Sequence, residues 1–243
     1  MTTVLSGGEA DTSSDITFAD ALKQYKATGN NTLVVGTFPQ TIAYQLSRTH
    51  FGAVEENRYR VLAVTNPNQD TIEQRFPSEL STVDHHEHTS VITYSTTARG
   101  GTAATQSSRS GLSGPQIDSE TGADIDVFTE ALFEEIDSLH AASTGGFDPA
   151  QLRVSLDGLE PLLGMFGADT VDSFVAELTA TIRAYDGMGQ FFLSYPRSHS
   201  VIETLEQHFE IIMKVEQQTD GSYVQTWEIP EYDIQTRLPL QTD

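Results

Sequence analysis

The sequence predicts an α/β protein: a three-layer sandwich with a mainly parallel sheet, helices on both faces and an antiparallel C-terminal hairpin. Three observations carry this expectation. The apolar runs LVV, YRVLAV, SVITY, LRVSL and QFFLSY are nearly continuous, as in strands covered on both faces. Segments with helical apolar spacing separate most of them. Near the C-terminus, FEIIMKVEQ and SYVQTWEIP meet at Asp220-Gly221, the pattern of a hairpin.

The elements follow in order. Residues 1–14 are rich in Gly, Ser, Thr and Asp and predict a flexible start to a single domain over 15–243. Thr17 is placed to cap a first helix carrying Phe18, Leu22 and Tyr25, which Gly29 stops. The strand through Leu33, Val34 and Val35 leads by Gly36 to Pro39 into a helix with Ile42, Ala43 and Leu46. Strands follow at Tyr59 to Val64, before the breaker Asn66-Pro67, and at Ser90 to Tyr94. From 95 to 124 the composition turns to Ser, Thr, Gly and Ala, and a long surface loop is expected. Ile125, Phe128, Leu132, Ile136 and Leu139 then mark a helix, followed by a strand from Leu152 to Leu156 that ends at Asp157. A further helix carries Val171, Phe174, Val175, Leu178, Ile182 and Tyr185, and the strand from Gly189 to Tyr195 breaks at Pro196. Ser200 and Glu203 have capping-box spacing for a short helix with Val201, Ile202 and Leu205.

Composition removes several classes of function. With no cysteine among 243 residues, a thiol nucleophile, a redox pair, an iron–sulfur cluster and cysteine-ligated zinc are all excluded. Thirteen basic against 35 acidic residues give a net charge of −22, whose field disfavours nucleic acid and anionic lipid while leaving room for one local basic patch. The carboxylates are scattered through periodic segments, and ten arginines outnumber the three lysines Lys23, Lys26 and Lys214. This pattern resembles that of a protein from a salt-loving archaeon, where concentrated salt screens surface repulsion; the open alternative is an ordinary acidic protein that binds cations or a basic partner. No N-terminal basic-apolar signal and no apolar run near the ~18 residues of a membrane span are present, so a cytoplasmic protein is expected.

Four places could hold chemistry. The first strand-to-helix turn reads Gly36-Thr37-Phe38-Pro39-Gln40-Thr41, where a phosphate loop would need GxxxxGKS/T. The lysine and second glycine are missing, which leaves a connecting turn or weak anion binding by the helix N-terminus as the open readings. Asp157 ends a hydrophobic strand, a position where open α/β sheets place ligand-binding groups; it could equally accept hydrogen bonds from the following turn. VDHHEHTS supplies His86 and His88 on one face of an extended segment, suitable as metal ligands or simply solvated. Arg99 and Arg109, near Gly100 and Gly101, give the long loop a local positive charge that could engage an acidic partner or phosphate.

The run NTLVVG, YRVLAVT, SVITY, LRVSLDGLEPLL, GQFFLSYP and HFEIIMKVE resembles the RecA-type ATPase core of the P-loop NTPase superfamily, most closely its KaiC-like branch, from about Phe18 to Leu240. More narrowly it resembles a haloarchaeal KaiC-like family whose phosphate loop is degenerate. The resemblance implies a RecA-like sheet and places Asp157 at the magnesium-site aspartate. It also implies a degenerate cofactor site at Gly36, Thr37, Thr41 and Asp157. Thr65-Asn66-Pro67 stands where the family's adjacent catalytic glutamates are expected. The expectation is therefore a non-catalytic regulatory or protein-interaction module without a cofactor, working with a protein partner or as a homo-oligomer. The alternative is an ATP/magnesium or metal-binding switch built on a non-standard site.

Overall fold

The structure is a computed structural model and describes residues 16–65, 69–77, 88–95, 116–118 and 124–241. Its centre is one nine-stranded sheet. In chain order the strands are β1 Asn30–Val35, β2 Tyr59–Thr65, β3 Thr89–Ser95, β4 Gln116–Asp118, β5 Leu152–Asp157, β6 Met188–Leu193, β7 Ile211–Gln217, β8 Tyr223–Ile229 and β9 Ile234–Leu240. In space they run β4-β3-β2-β5-β6-β1-β7-β8-β9. Every pairing from β4 to β7 is parallel, and β7-β8 and β8-β9 are antiparallel. The mainly parallel sheet with an antiparallel C-terminal end is thus as the sequence predicts.

Burial explains the near-continuous apolar runs, because β1 and β2 are buried at every position. Helices α1 Phe18–Thr28, α2 Gln40–Phe51 and α3 Gln69–Arg75 cover one face. Helices α4 Ile125–Ala142, α5 Glu160–Phe166, α6 Ala168–Ala184 and α7 Ser200–Leu205 cover the other. The apolar stripe of α6 (Val171, Phe174, Val175, Leu178, Ile182) is wholly buried in the larger core, and so is that of α4. Both stripes follow the helical period, so burying one face of each helix supplies most of what holds it.

Several elements depart from the sequence reading, among them helix α5, which that reading left out. Strand β4 interrupts the expected 95–124 loop, Ser95 closes β3, and Asp124 is the N-cap residue of α4. Helix α3 and strand β9 were not signalled by any clear period. The expected capping box is absent: His199, one residue earlier than Ser200, occupies the N-cap and its ring accepts from the Val201 amide. Residues 1–14, predicted as a flexible start, lie outside the described residues.

Candidate site at the strand ends

β1 and β2 hand the chain to α2 and α3 on one face, whereas β5 and β6 hand it to α5, α6 and α7 on the other. Strand order reverses there, and such a reversal opens the crevice in which open α/β sheets bind ligands. The C-terminal ends of β1, β2, β5 and β6 therefore bring Gly36, Thr65, Asp157 and Leu193 to one edge.

At β1 the turn is tight and inward. Gly36 has φ +135°, and a Cβ there would run into the Val215 carbonyl oxygen of β7, so only glycine fits. Its amide donates to the Tyr195 carbonyl at 2.9 Å. Phe38 folds against the core under α2, and Pro39 takes the N-cap without a side-chain cap. Thr37 and Thr41 are exposed. Three of the predicted cofactor residues thus flank a turn packed onto β7, and the fourth, Asp157, lies two strands away, with β6 between.

Asp157 is already engaged. Its carboxylate forms an ion pair with Arg75, the last residue of α3, whose side chain is 0% exposed against 16% for Asp157. Arg75 also donates to Ser47 Oγ at 2.8 Å, and its guanidinium carbon lies 5.1 Å from the Tyr44 ring centre and 5.2 Å from that of Phe192. Burial pushes the Asp157 carboxyl up and the Arg75 guanidinium down, each opposed by the attraction of the other. An arginine ordinarily holds its proton about eight pH units more strongly than an aspartate, so the pair stays charged. Around it, the Thr65 hydroxyl reaches the carbonyls of Asp157 and Gly158 at 3.0 and 2.9 Å. Glu160 accepts the Ser194 amide, tying α5 to the end of β6. A divalent cation does not fit this arrangement, because the carboxylate is balanced by a cation that solvent does not reach. Among the described residues, no group of three or more His, Asp or Glu could hold a metal ion.

The sequence pointed to Asp157 but not to Arg75. Seen along the chain, Arg75 is one of ten arginines in a polar stretch with a single apolar residue, Ile72, and nothing in that spacing marks it as buried. His88 lies just before β3, at the opposite end of the sheet from Asp157, and its ring stacks on Tyr59 with centres 4.5 Å apart. His86, Arg99 and Arg109 lie outside the described residues.

That opposite end carries two more buried arginines on the α2 face. Arg60 and Arg153 are register partners on β2 and β5. Arg60 donates to the carbonyls of Phe51, Arg58, Ala53 and Glu56, and Arg153 donates to Ala150. His50 Nε2 sits 3.1 Å from the Val154 carbonyl oxygen, which only accepts, so this nitrogen carries the proton. Burial, with the positive charge of Arg153 and Arg58 nearby, pulls the His50 imidazole down to about 3.

The model of DUF7504, described as a family of unknown function, matches residues 29–215, from the turn before β1 into β7. The chain belongs to this family. The matched DUF7504 span contains Gly36, Arg75 and Asp157 and stops short of β8 and β9. No curated protein matches the chain. Among solved structures, a KaiC-like protein of the hyperthermophilic archaeon Pyrococcus horikoshii is similar over 88% of this chain and 86% of its own, with a TM-score of 0.55 and 9% identity. At that identity the likeness speaks for fold: this DUF7504 chain has a KaiC-like, RecA-like α/β sandwich. Among the described residues, no helix is long and apolar enough to cross a membrane.

Proposed function

We propose that this member of DUF7504 is a non-catalytic KaiC-like module that regulates through a protein partner or through a homo-oligomer and needs no cofactor. The observation that carries the reading is the β1–α2 turn. A phosphate loop works by wrapping free backbone amides around an anion and adding a lysine. Here Gly36 lies against the Val215 carbonyl, Phe38 is turned into the core, Pro39 has no amide hydrogen to offer, and no lysine is present. The absence of paired glutamates after β2 supports the same reading, since Thr65 leads directly into Asn66-Pro67. The excess of 35 acidic over 13 basic residues supports a cytoplasmic role in a halophilic archaeon and weighs against nucleic acid as the partner.

Titration calorimetry with ATP and GTP, with and without magnesium in molar KCl, tests the proposal. No saturable heat and no released phosphate are expected. Micromolar binding accompanied by turnover would overturn it in favour of a nucleotide switch with a non-standard site. Light scattering after gel filtration then reads whether the chain alone assembles, and affinity capture from its own cells identifies a partner when it does not.

A further inference from the structure

We propose that Arg75 is the resident cation of the Asp157 site: a guanidinium from the chain itself stands where this fold would otherwise recruit a divalent metal, and it fastens α3 to the sheet permanently. This rests on the reading of Asp157 as the magnesium-position aspartate. The contrast with Arg60 carries the argument. Arg60 is buried and spends its donors on four backbone carbonyls, as an arginine does when its task is to hold a connection together. Arg75 is more deeply buried, yet among the described residues its Nε has no hydrogen-bond acceptor and its Nη2 meets only the Asp157 carboxylate. A buried unpaired donor is costly, so the position of Arg75 is set by charge and not by a full hydrogen-bond set. Tyr44 and Phe192 lie about it and Ser47 holds Nη1, which fixes the cation on one carboxylate oxygen.

A guanidinium suits this role for three reasons. It never loses its charge at working pH, it sheds water more readily than an ammonium, and it is attached to the fold. Magnesium would need several oxygen ligands in near-octahedral array and would have to displace a side chain that solvent does not touch. The Asp157 site is thus charge-balanced with or without metal, and α3 keeps one position whatever the ionic conditions.

Manganese titration and thermal unfolding in molar KCl, where the acidic surface is screened, test this on wild type, Arg75→Ala, Arg75→Lys, Asp157→Asn and Arg75→Ala/Asp157→Asn. Wild type and Arg75→Lys are expected to unfold at the same temperature in manganese and in EDTA. Arg75→Ala uncovers the carboxylate, and saturating manganese should raise its midpoint by roughly 5 °C. The double variant should lose that rise. A saturable manganese site in wild type that Asp157→Asn removes would overturn the proposal, and this arm stands even where Arg75→Ala does not fold. An Arg75→Ala that folds and gains no metal response would overturn it too. Nucleotide binding accompanied by turnover in EDTA would sink the non-catalytic reading and leave the present one untouched, so the two fail separately.

Discussion

Arg75 and Asp157 differ in access to water, and the difference sets an order on what their removal costs. Removing one partner of a buried ion pair costs about 3–5 kcal/mol, because the other is left charged without compensation. Arg75→Met strands Asp157, which is 16% exposed and can take up a proton, since burial already pushes its carboxyl up. This variant belongs at the lower end, near 3 kcal/mol, with the lost Ser47 hydrogen bond and ring contacts included. Asp157→Asn strands a guanidinium with no exposure and, among the described residues, no acceptor at Nε, and belongs nearer 5 kcal/mol. In the double variant no buried charge remains, so its cost falls short of the sum of the singles by about 3 kcal/mol. Urea unfolding in molar KCl, followed by fluorescence of the single tryptophan, Trp227 on β8, gives all three free energies. Additive singles, or an Arg75→Met that costs more than Asp157→Asn, would refute the reasoning.

Three further perturbations test the surroundings. His50 is neutral when folded, so unfolding in mild acid takes up a proton, and its contribution is lost as pH falls from about 6.5 toward about 3. Between pH 6.5 and 5 the loss is at most about 2 kcal/mol, less in proportion to the solvent contact that the half-buried ring keeps, and His50→Gln should flatten that part of the urea-midpoint profile. An unchanged slope would place the titrating group elsewhere. Gly36→Ala should cost about 2 kcal/mol or more in the same assay, since it combines a φ of +135° with a collision at the Val215 carbonyl. Thr65→Val should cost about 1–2 kcal/mol through the lost hydroxyl contacts to the Asp157 and Gly158 carbonyls, with circular dichroism unchanged.

What could be read along the chain follows from which interactions are periodic. Buried parallel strands leave continuous apolar runs, and α4 and α6 leave a 3.6-residue stripe, so these elements and the C-terminal hairpin were legible. Asp157 was legible as the polar end of an apolar strand. Its partner was not: β3, β4 and α4 stand between Arg75 and Asp157 in the sequence, and contacts between separate elements leave no local pattern. Helix α3 has one apolar residue, Ile72, in seven and is fixed by the Arg75 ion pair and by Phe76 just beyond it, not by a stripe. At α7 the capping residue is a histidine, a type the usual Ser/Thr/Asp/Asn rule passes over.

The place of β1 in the sheet also governs the order in which the chain can mature. This strand precedes every other strand of the sheet in the chain, yet its neighbours β6 and β7 begin at Met188 and Ile211. Helix α1 waits equally long: Tyr25 bonds Glu231 at 2.8 Å, and Phe18 meets the Trp227 ring edge-on. β1 therefore stays unpaired until β6 is made, whereas β3, β4, β5 and β6 can each pair with a strand made before it. The centre of the sheet is complete only once β6 and β7 flank β1, and until then β1 is an apolar strand with both edges open.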